Sequence, residues 1–149
     1  MSSVWTPRVT VAAVIEREGR FLLVEEETED GIVFNQPAGH LEDGEGLLDA
    51  VVREVREETG WGFEPEGVVG VYRWRMPDTG RTYLRFCFHG GCSDHRPEQP
   101  LDAGILGASW LSRDELERES RLRSPMVLTC IDDFLAGHSY PPALIQDIP

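Results

Sequence analysis

The stretch from Gly39 to Trp61, GHLEDGEGLLDAVVREVREETGW, constrains this chain more than any other. Between Leu47 and Thr59, apolar residues recur at Leu47, Leu48, Val51, Val52 and Val55, the spacing that buries one face of an α-helix. At about 100° per residue, Glu54, Glu57 and Glu58 share an arc of roughly 100° beside that face, with small Ala50 in the same arc. Three carboxylates therefore crowd one edge of a helix whose neighbouring face is buried.

Like charges three or four positions apart cost roughly 0.2–0.5 kcal/mol per pair on an exposed helix, and more where water is partly excluded. Two arrangements relieve this. A hard divalent cation such as Mg²⁺ takes oxygen ligands from a few carboxylates and keeps other positions for water and substrate phosphates. Alternatively Arg53 and Arg56 neutralise the acids in a solvated face, Arg53 and Glu57 being four residues apart.

The same segment fits a longer pattern: Gly39, five residues, Glu45, seven residues, Arg53-Glu54, Val55, any residue, Glu57-Glu58, any residue, Gly60, Trp61. This resembles the signature of the Nudix hydrolases, without departure at a fixed position. The resemblance implies an α/β chain with the Nudix fold, a mixed β-sheet sandwiched between helices (α-β-α). It also implies a Mg²⁺ cofactor, for which Mn²⁺ can substitute, held by Glu54, Glu57 and Glu58 with help from the Gly39 carbonyl. One of these glutamates then serves as base on water, and Arg53 orients an acid such as Glu57 or Glu45. The catalytic set is thus Glu54, Glu57, Glu58 and Arg53.

Length and composition set outer bounds. The 149 residues suit a single domain spanning 1–149. No apolar run approaches the roughly 18–20 residues of a membrane span, and Met1 to Pro7 lacks the basic start and apolar core of a signal peptide. The expected compartment is the cytoplasm, without a membrane partner. With 27 acids against 14 bases the formal charge is −13, which argues against a nucleic-acid polymer as partner. All the bases are arginines, suited to bidentate phosphate contacts, although a compositional habit of the genome explains them equally. Cys87, Cys92 and Cys130 form no CxxC pair and read as reduced thiols. Cys87, His89, Cys92 and His95 put four zinc-type ligands in nine residues, but without paired knuckles.

Along the chain, Arg8 to Ile15 and Arg20 to Glu27 read as strands joined in a hairpin through Glu16 to Gly19, with a short strand at Gly31 to Phe34. After the helix, which Gly60 ends, Gly67 to Met76 and Arg81 to His89 read as a second hairpin. Its aromatics read as core rather than as a base-stacking platform. His89 to Pro100 has loop composition, and Gly107 to Leu111 reads as a last strand. Ser112 to Glu115 has the form of a capping box, and Ser124-Pro125 opens a final helix running to about Ala136. Tyr140 to Pro149 is a proline-bearing tail.

Beside the last helix start stands Arg123, which gains from that position only if an anion binds between guanidinium and helix dipole; otherwise it points to solvent. His40 follows Ala38-Gly39, where relatives usually show two glycines, so the mouth of the site differs. The candidate substrate-binding residues are accordingly His40, Arg123 and Ser124. Asp102 precedes the last strand, where relatives often carry an additional acid, and is a possible stand-in. The runs Asn35 to Glu42, Leu84 to Phe86 and Leu122 to Pro125 further resemble the NudJ-type phosphatases within the family. That likeness implies hydrolysis of nucleoside tri- and diphosphates and thiamine-pathway pyrophosphates to monophosphates, by a monomer or homodimer acting on small molecules. The alternatives are a Nudix hydrolase of another nucleoside-diphosphate-X substrate, a nucleotide sensor without turnover, and an isomerase of the isopentenyl diphosphate type. The intact glutamates oppose the sensor, and the isomerase's cysteine, glutamate and His-rich metal set are not recognisable.

Overall fold

The computed structural model describes residues 3–149. Met1 and Ser2, where the reading of the N-terminus as leaderless begins, lie outside the described residues. The strands are β1 (Arg8–Val14), β2 (Glu16–Arg17), β3 (Arg20–Thr28), β4 (Gly31–Asn35), β5 (Ala38–His40), β6 (Gly62–Arg75), β7 (Thr82–Ser93) and β8 (Ile105–Ser112). The helices are α1 (Leu47–Thr59), α2 (Arg113–Arg118) and α3 (Met126–Leu135), followed by a 3₁₀ turn at Pro142–Leu144.

One sheet has the order β5-β1-β7-β6 and is mixed, since β1 runs parallel to β7 while its other pairings are antiparallel. The other gathers β2, β4 and β8 around β3, all antiparallel. Strand β1 explains the layering. From Val11 through Ile15, the residue that follows the strand, the chain is buried without a break, the pattern of a strand covered on both faces. Val11, Ala13 and Ile15 pack with Ala50, Val51 and Val55 of α1, whereas Ala12 and Val14 pack with Val127, Cys130 and Ile131 of α3. Helices therefore cover both sides of the mixed sheet, as the α-β-α expectation requires. Fully burying a valine of α1 contributes roughly 1.5–3 kcal/mol, which pins the helix and with it the acidic edge.

Three readings of the sequence are corrected. Strands β1 and β3 do not form a hairpin: β1 already pairs with β5 and β7, so the chain turns a corner and the two-residue β2 forms the hairpin with β3 instead. The corner is closed by the Leu22 N–H donating to the Ile15 carbonyl at 3.0 Å. Strand β7 continues to Ser93, through the first five residues of the segment read as a loop, because Gly62 to Pro65 of β6 supply a pairing partner that local composition does not reveal. The tail also engages the sheet, where Val68 and Tyr140 exchange backbone hydrogen bonds of 2.7 and 2.8 Å.

The end of α1 and the start of α2 agree with the spacing. Gly60 takes the left-handed conformation at the end of α1, with φ of 76°, and its N–H donates to the Arg56 carbonyl. Ser112 and Glu115 form the reciprocal capping box of α2. The Ser124 hydroxyl accepts from the Met126 N–H at 3.2 Å just ahead of α3, whose N-cap position is Pro125 rather than the expected Ser124.

Candidate active site

A cleft of about 370 Å³ opens between the edge of α1, strand β5 and the N-terminus of α3. Glu54 and Glu58 reach it from α1, each 7% exposed. Glu58 accepts the Ala38 N–H at 2.8 Å. Burial pushes the Glu58 carboxyl up to about 9, against that hydrogen bond, and the charges of Glu54, Glu26 and Asp102 push the same way. Burial likewise raises Glu54, although Arg53 opposes the shift. Glu54 lies directly on strand β5: a Cβ built on Gly39 would overlap its carboxylate. The glycine of the signature is thus required by close approach of an acid to backbone.

Arg53 holds the acidic edge together. Its guanidinium donates to both oxygens of Glu45 at 2.9 and 2.7 Å, to Glu54 at 2.8 Å, to Glu57 at 3.1 Å and to the His40 carbonyl at 3.2 Å. Arg53 and Glu57 do not line the cleft, and the Glu57 side chain, 41% exposed, turns to Arg53. Hence the three glutamates are not brought to one point. Among the described residues no three His, Cys, Asp or Glu side chains are gathered so as to hold a metal ion. The donor chemistry nevertheless fits a hard cation: two buried carboxylates beside a backbone strand, with acids raising one another's pKa and Glu57 one turn from Glu54.

The remaining predicted residues reach the cleft from other elements. The segment before α3 is fastened to β4, the Arg123 N–H donating to the Phe34 carbonyl at 2.8 Å and the Phe34 N–H to the Arg121 carbonyl at 2.7 Å. This places Arg123 and Ser124 on the cleft wall facing Gly39 and His40. The His40 pKa is lowered, first by burial and then by the charges of Arg8 and Arg123. Asp102 also lines the cleft, tied by its N–H to the Glu57 carbonyl at 2.9 Å.

Several lining residues were not singled out from the sequence. Glu26 of β3 stands 3.9 Å from Arg123. Asn35 and Arg85 line the floor, Arg85 donating to Asn35 at 3.2 Å and to Gln36 at 2.9 Å. Trp74 and Tyr83 form part of the wall with Met76, which corrects the reading of these two aromatics as core; Phe88 does lie in the core, Phe86 packs against it, and Tyr72 packs on it while donating to Asp133. Strand alternation assigns faces but cannot tell which stretch of a face a helix covers, and α3 leaves this end of the sheet open. The zinc-type ligands are dispersed: Cys87 is in the core, His89 meets Ser139 at 2.7 Å and His95 stacks on Trp61 at 4.3 Å. All three cysteines are free thiols.

Comparison with known proteins agrees with this geometry. The NUDIX domain model matches residues 6–128. The chain is 41% identical to Phosphatase NudJ of Escherichia coli (strain K12) over 141 residues, covering 95% of this chain and 92% of that protein. Phosphatase NudJ of Shigella boydii serotype 4 (strain Sb227) matches with the same identity and coverage. Among solved structures, a NUDIX hydrolase from Nitrosomonas europaea superposes with a TM-score of 0.93 at 47% identity, covering 96% of this chain and 98% of that one. A UDP-X diphosphatase shares the fold, with a TM-score of 0.75 at 22% identity over 94% of this chain and 68% of that chain. With its signature helix, its α-β-α layers and these relatives, the chain belongs to the Nudix hydrolase family, in its NudJ-type branch.

Proposed function

We propose that this protein hydrolyses phosphoanhydride bonds of nucleoside tri- and diphosphates and of thiamine-pathway pyrophosphates, yielding monophosphates, with Mg²⁺ or Mn²⁺ as cofactor. The observation that carries the reading is the pair of buried carboxylates, Glu54 against the Gly39 backbone and Glu58 on the Ala38 N–H, lining one cleft together with Arg123. The phosphatase names of its relatives support the reaction class. Residues 1–149 act as one domain, in the cytoplasm, on a small-molecule substrate. Among the described residues no helix is long and apolar enough to cross a membrane.

A phosphoanhydride resists attack because its oxygens are anionic, so the site must neutralise charge and align water. Glu54, Glu58 and the Gly39 carbonyl would hold the cation, with Glu57 when it leaves Arg53. Bound there, the cation supplies charge neutralisation to the phosphate oxygens and acidifies water. The chain's own residues do the rest. Arg53 fixes the direction of Glu54 and Glu45, the Ala38 N–H fixes Glu58, and one of the signature glutamates takes the proton of the attacking water. Arg123 and the start of α3 receive a substrate phosphate, and His40, held toward its neutral form, offers a hydrogen bond at the mouth. Asp102 and Glu26 are further acids for positioning water or cation.

The test is phosphate and pyrophosphate release over a panel of nucleotides, thiamine-type pyrophosphates, ADP-ribose and dinucleoside polyphosphates, with metal and after exhaustive chelation. The expected outcome is turnover of the small di- and triphosphates, faster than of the bulky substrates, and only with metal. Undiminished turnover after chelation would sink the mechanism. A nucleotide sugar better by tenfold or more would replace the substrate class.

A further inference from the structure

The helix that carries the acids is held at both ends by segments distant in sequence. At its C-terminus the loop after β7 supplies donors: the Gln99 side-chain amide donates to the Arg56 carbonyl at 2.8 Å, the Asp102 N–H to the Glu57 carbonyl at 2.9 Å and the Arg96 N–H to the Gly60 carbonyl at 2.9 Å. Helix ends leave such carbonyls unsatisfied, so this loop closes α1 and brings Asp102 to the cleft. The N-terminus is different. Its first N–H groups are orphaned in the same way, yet the N-cap residue is Gly46, which has no side chain to accept from them.

A carboxylate reaches that end from the tail. Asp147 stands beside Gly46, one of its oxygens 3.2 Å from the position a Cβ there would take. Aspartate is a preferred residue at a helix start, where its charge meets the positive end of the dipole; here tertiary structure delivers it instead of the adjacent sequence. The segment that delivers it is fastened at three further points. His89 Nε2 and Ser139 Oγ lie 2.7 Å apart, Tyr140 exchanges both backbone hydrogen bonds with Val68 on the edge strand β6, and Ile145 packs on the core cluster that includes Val51 and Val55 of α1. Gly67 makes room for this path, since a Cβ on it would overlap the His89 ring and the Ser139 hydroxyl. The tail thus runs from the end of α3, over the edge of the sheet, to the start of α1. A helix transmits a displacement along its axis, and Glu54 lies roughly two turns beyond Gly46 with its carboxylate already against the Gly39 backbone.

We infer that Ile145 and Asp147 are positioning residues for the acidic helix: the tail sets how α1 lies against β5, and so how well Glu54, Glu58 and the Gly39 carbonyl take up a divalent cation. The inference rests on the metal-binding half of the reading above and adds a determinant outside the cleft. It does not depend on which anhydride is cleaved.

The test is Mn²⁺ binding to the full-length chain without substrate, followed by electron paramagnetic resonance, beside the Mg²⁺ concentration that gives half-maximal turnover. For Ile145→Ser and for Asp147→Ala both the Mn²⁺ Kd and the Mg²⁺ midpoint should rise about threefold, while Asp147→Glu behaves as wild type. Ile145→Ser leaves the charge unchanged, so its loss cannot come from weaker attraction of the cation; Ile145→Ala replaces it if that variant does not fold. Thermal unfolding is recorded in parallel. A tail that merely supports the fold lowers Tm and leaves Mn²⁺ binding at the wild-type value, which overturns the inference. A loss confined to Asp147→Ala overturns it in favour of simple attraction between charges. If the wild-type chain binds no Mn²⁺, the metal reading falls and takes the inference with it. If it binds Mn²⁺ but cleaves no phosphoanhydride, only the reaction assigned above falls, and the Mn²⁺ Kd values alone decide for or against the tail.

Discussion

Glu58 carries the greatest electrostatic tension in the cleft. Burial and the neighbouring acids hold its pKa at about 9 where an ordinary glutamate stands at 4.5. Between those values the folded protein binds a proton that the unfolded chain has released, so its stability falls as pH rises through that window. We predict that urea unfolding in chelator shows this loss from pH 5 to pH 9, and that Glu58→Gln flattens the slope because an amide does not titrate. A stability that rises over this range, or a slope unaltered in Glu58→Gln, would contradict the assignment. At this scale the sequence was legible where spacing decides. Helical angles put Glu54 and Glu58 beside the buried face, and the separation of Arg53 from Glu57 announced their pairing. Arg85 was not legible, because an arginine in an alternating strand looks alike whether its face meets solvent or a helix. Glu26 was hidden for a related reason: it reaches the cleft through the pairing of β3 with β4, which no local pattern encodes.

At the scale of elements, α1 was readable from Leu47 to Thr59 because amphipathic spacing and a terminal glycine are local signals. Which strands pair is not local, so sequence pattern alone reads the corner between β1 and β3 as a hairpin. Helix α3 shows how an element acquires chemistry by docking. Its preceding segment pairs with Phe34, which turns the start of the helix and Arg123 toward the acids. Arg123 stands 3.9 Å from Glu26 and 39% exposed, a contact too loose to occupy the guanidinium fully. Arg123→Ala should therefore raise KM for diphosphates and triphosphates alike, by an amount equivalent to about 1.5–3 kcal/mol for a charge-assisted bond, and leave the metal requirement intact. Steady-state kinetics on both substrate classes checks this; wild-type constants would return Arg123 to a solvent-facing role.

The whole molecule carries a formal charge of −13, yet its substrate is proposed to be a polyanion. Long-range attraction therefore contributes nothing to capture, and binding depends on local charge: Arg123 on one wall, and elsewhere in the cleft a cluster of acids that repels phosphate until a cation is added. The α-β-α layers were foreseeable from the signature, whose helix must be covered on one face and bear its acids at the edge of that cover. The aromatic wall was not, because the extent of α3 over the sheet is a tertiary outcome. All of this converges on the claim that the buried carboxylates of α1 perform phosphoanhydride hydrolysis. The most direct measurement is kcat for phosphate release from the best substrate at saturating Mg²⁺, wild type against Glu58→Gln, with circular dichroism confirming equal folding. A loss of roughly 10²-fold or more in kcat is predicted, in line with removal of a preorganised charge from a reacting centre; a folded Glu58→Gln enzyme with the wild-type rate would contradict the account.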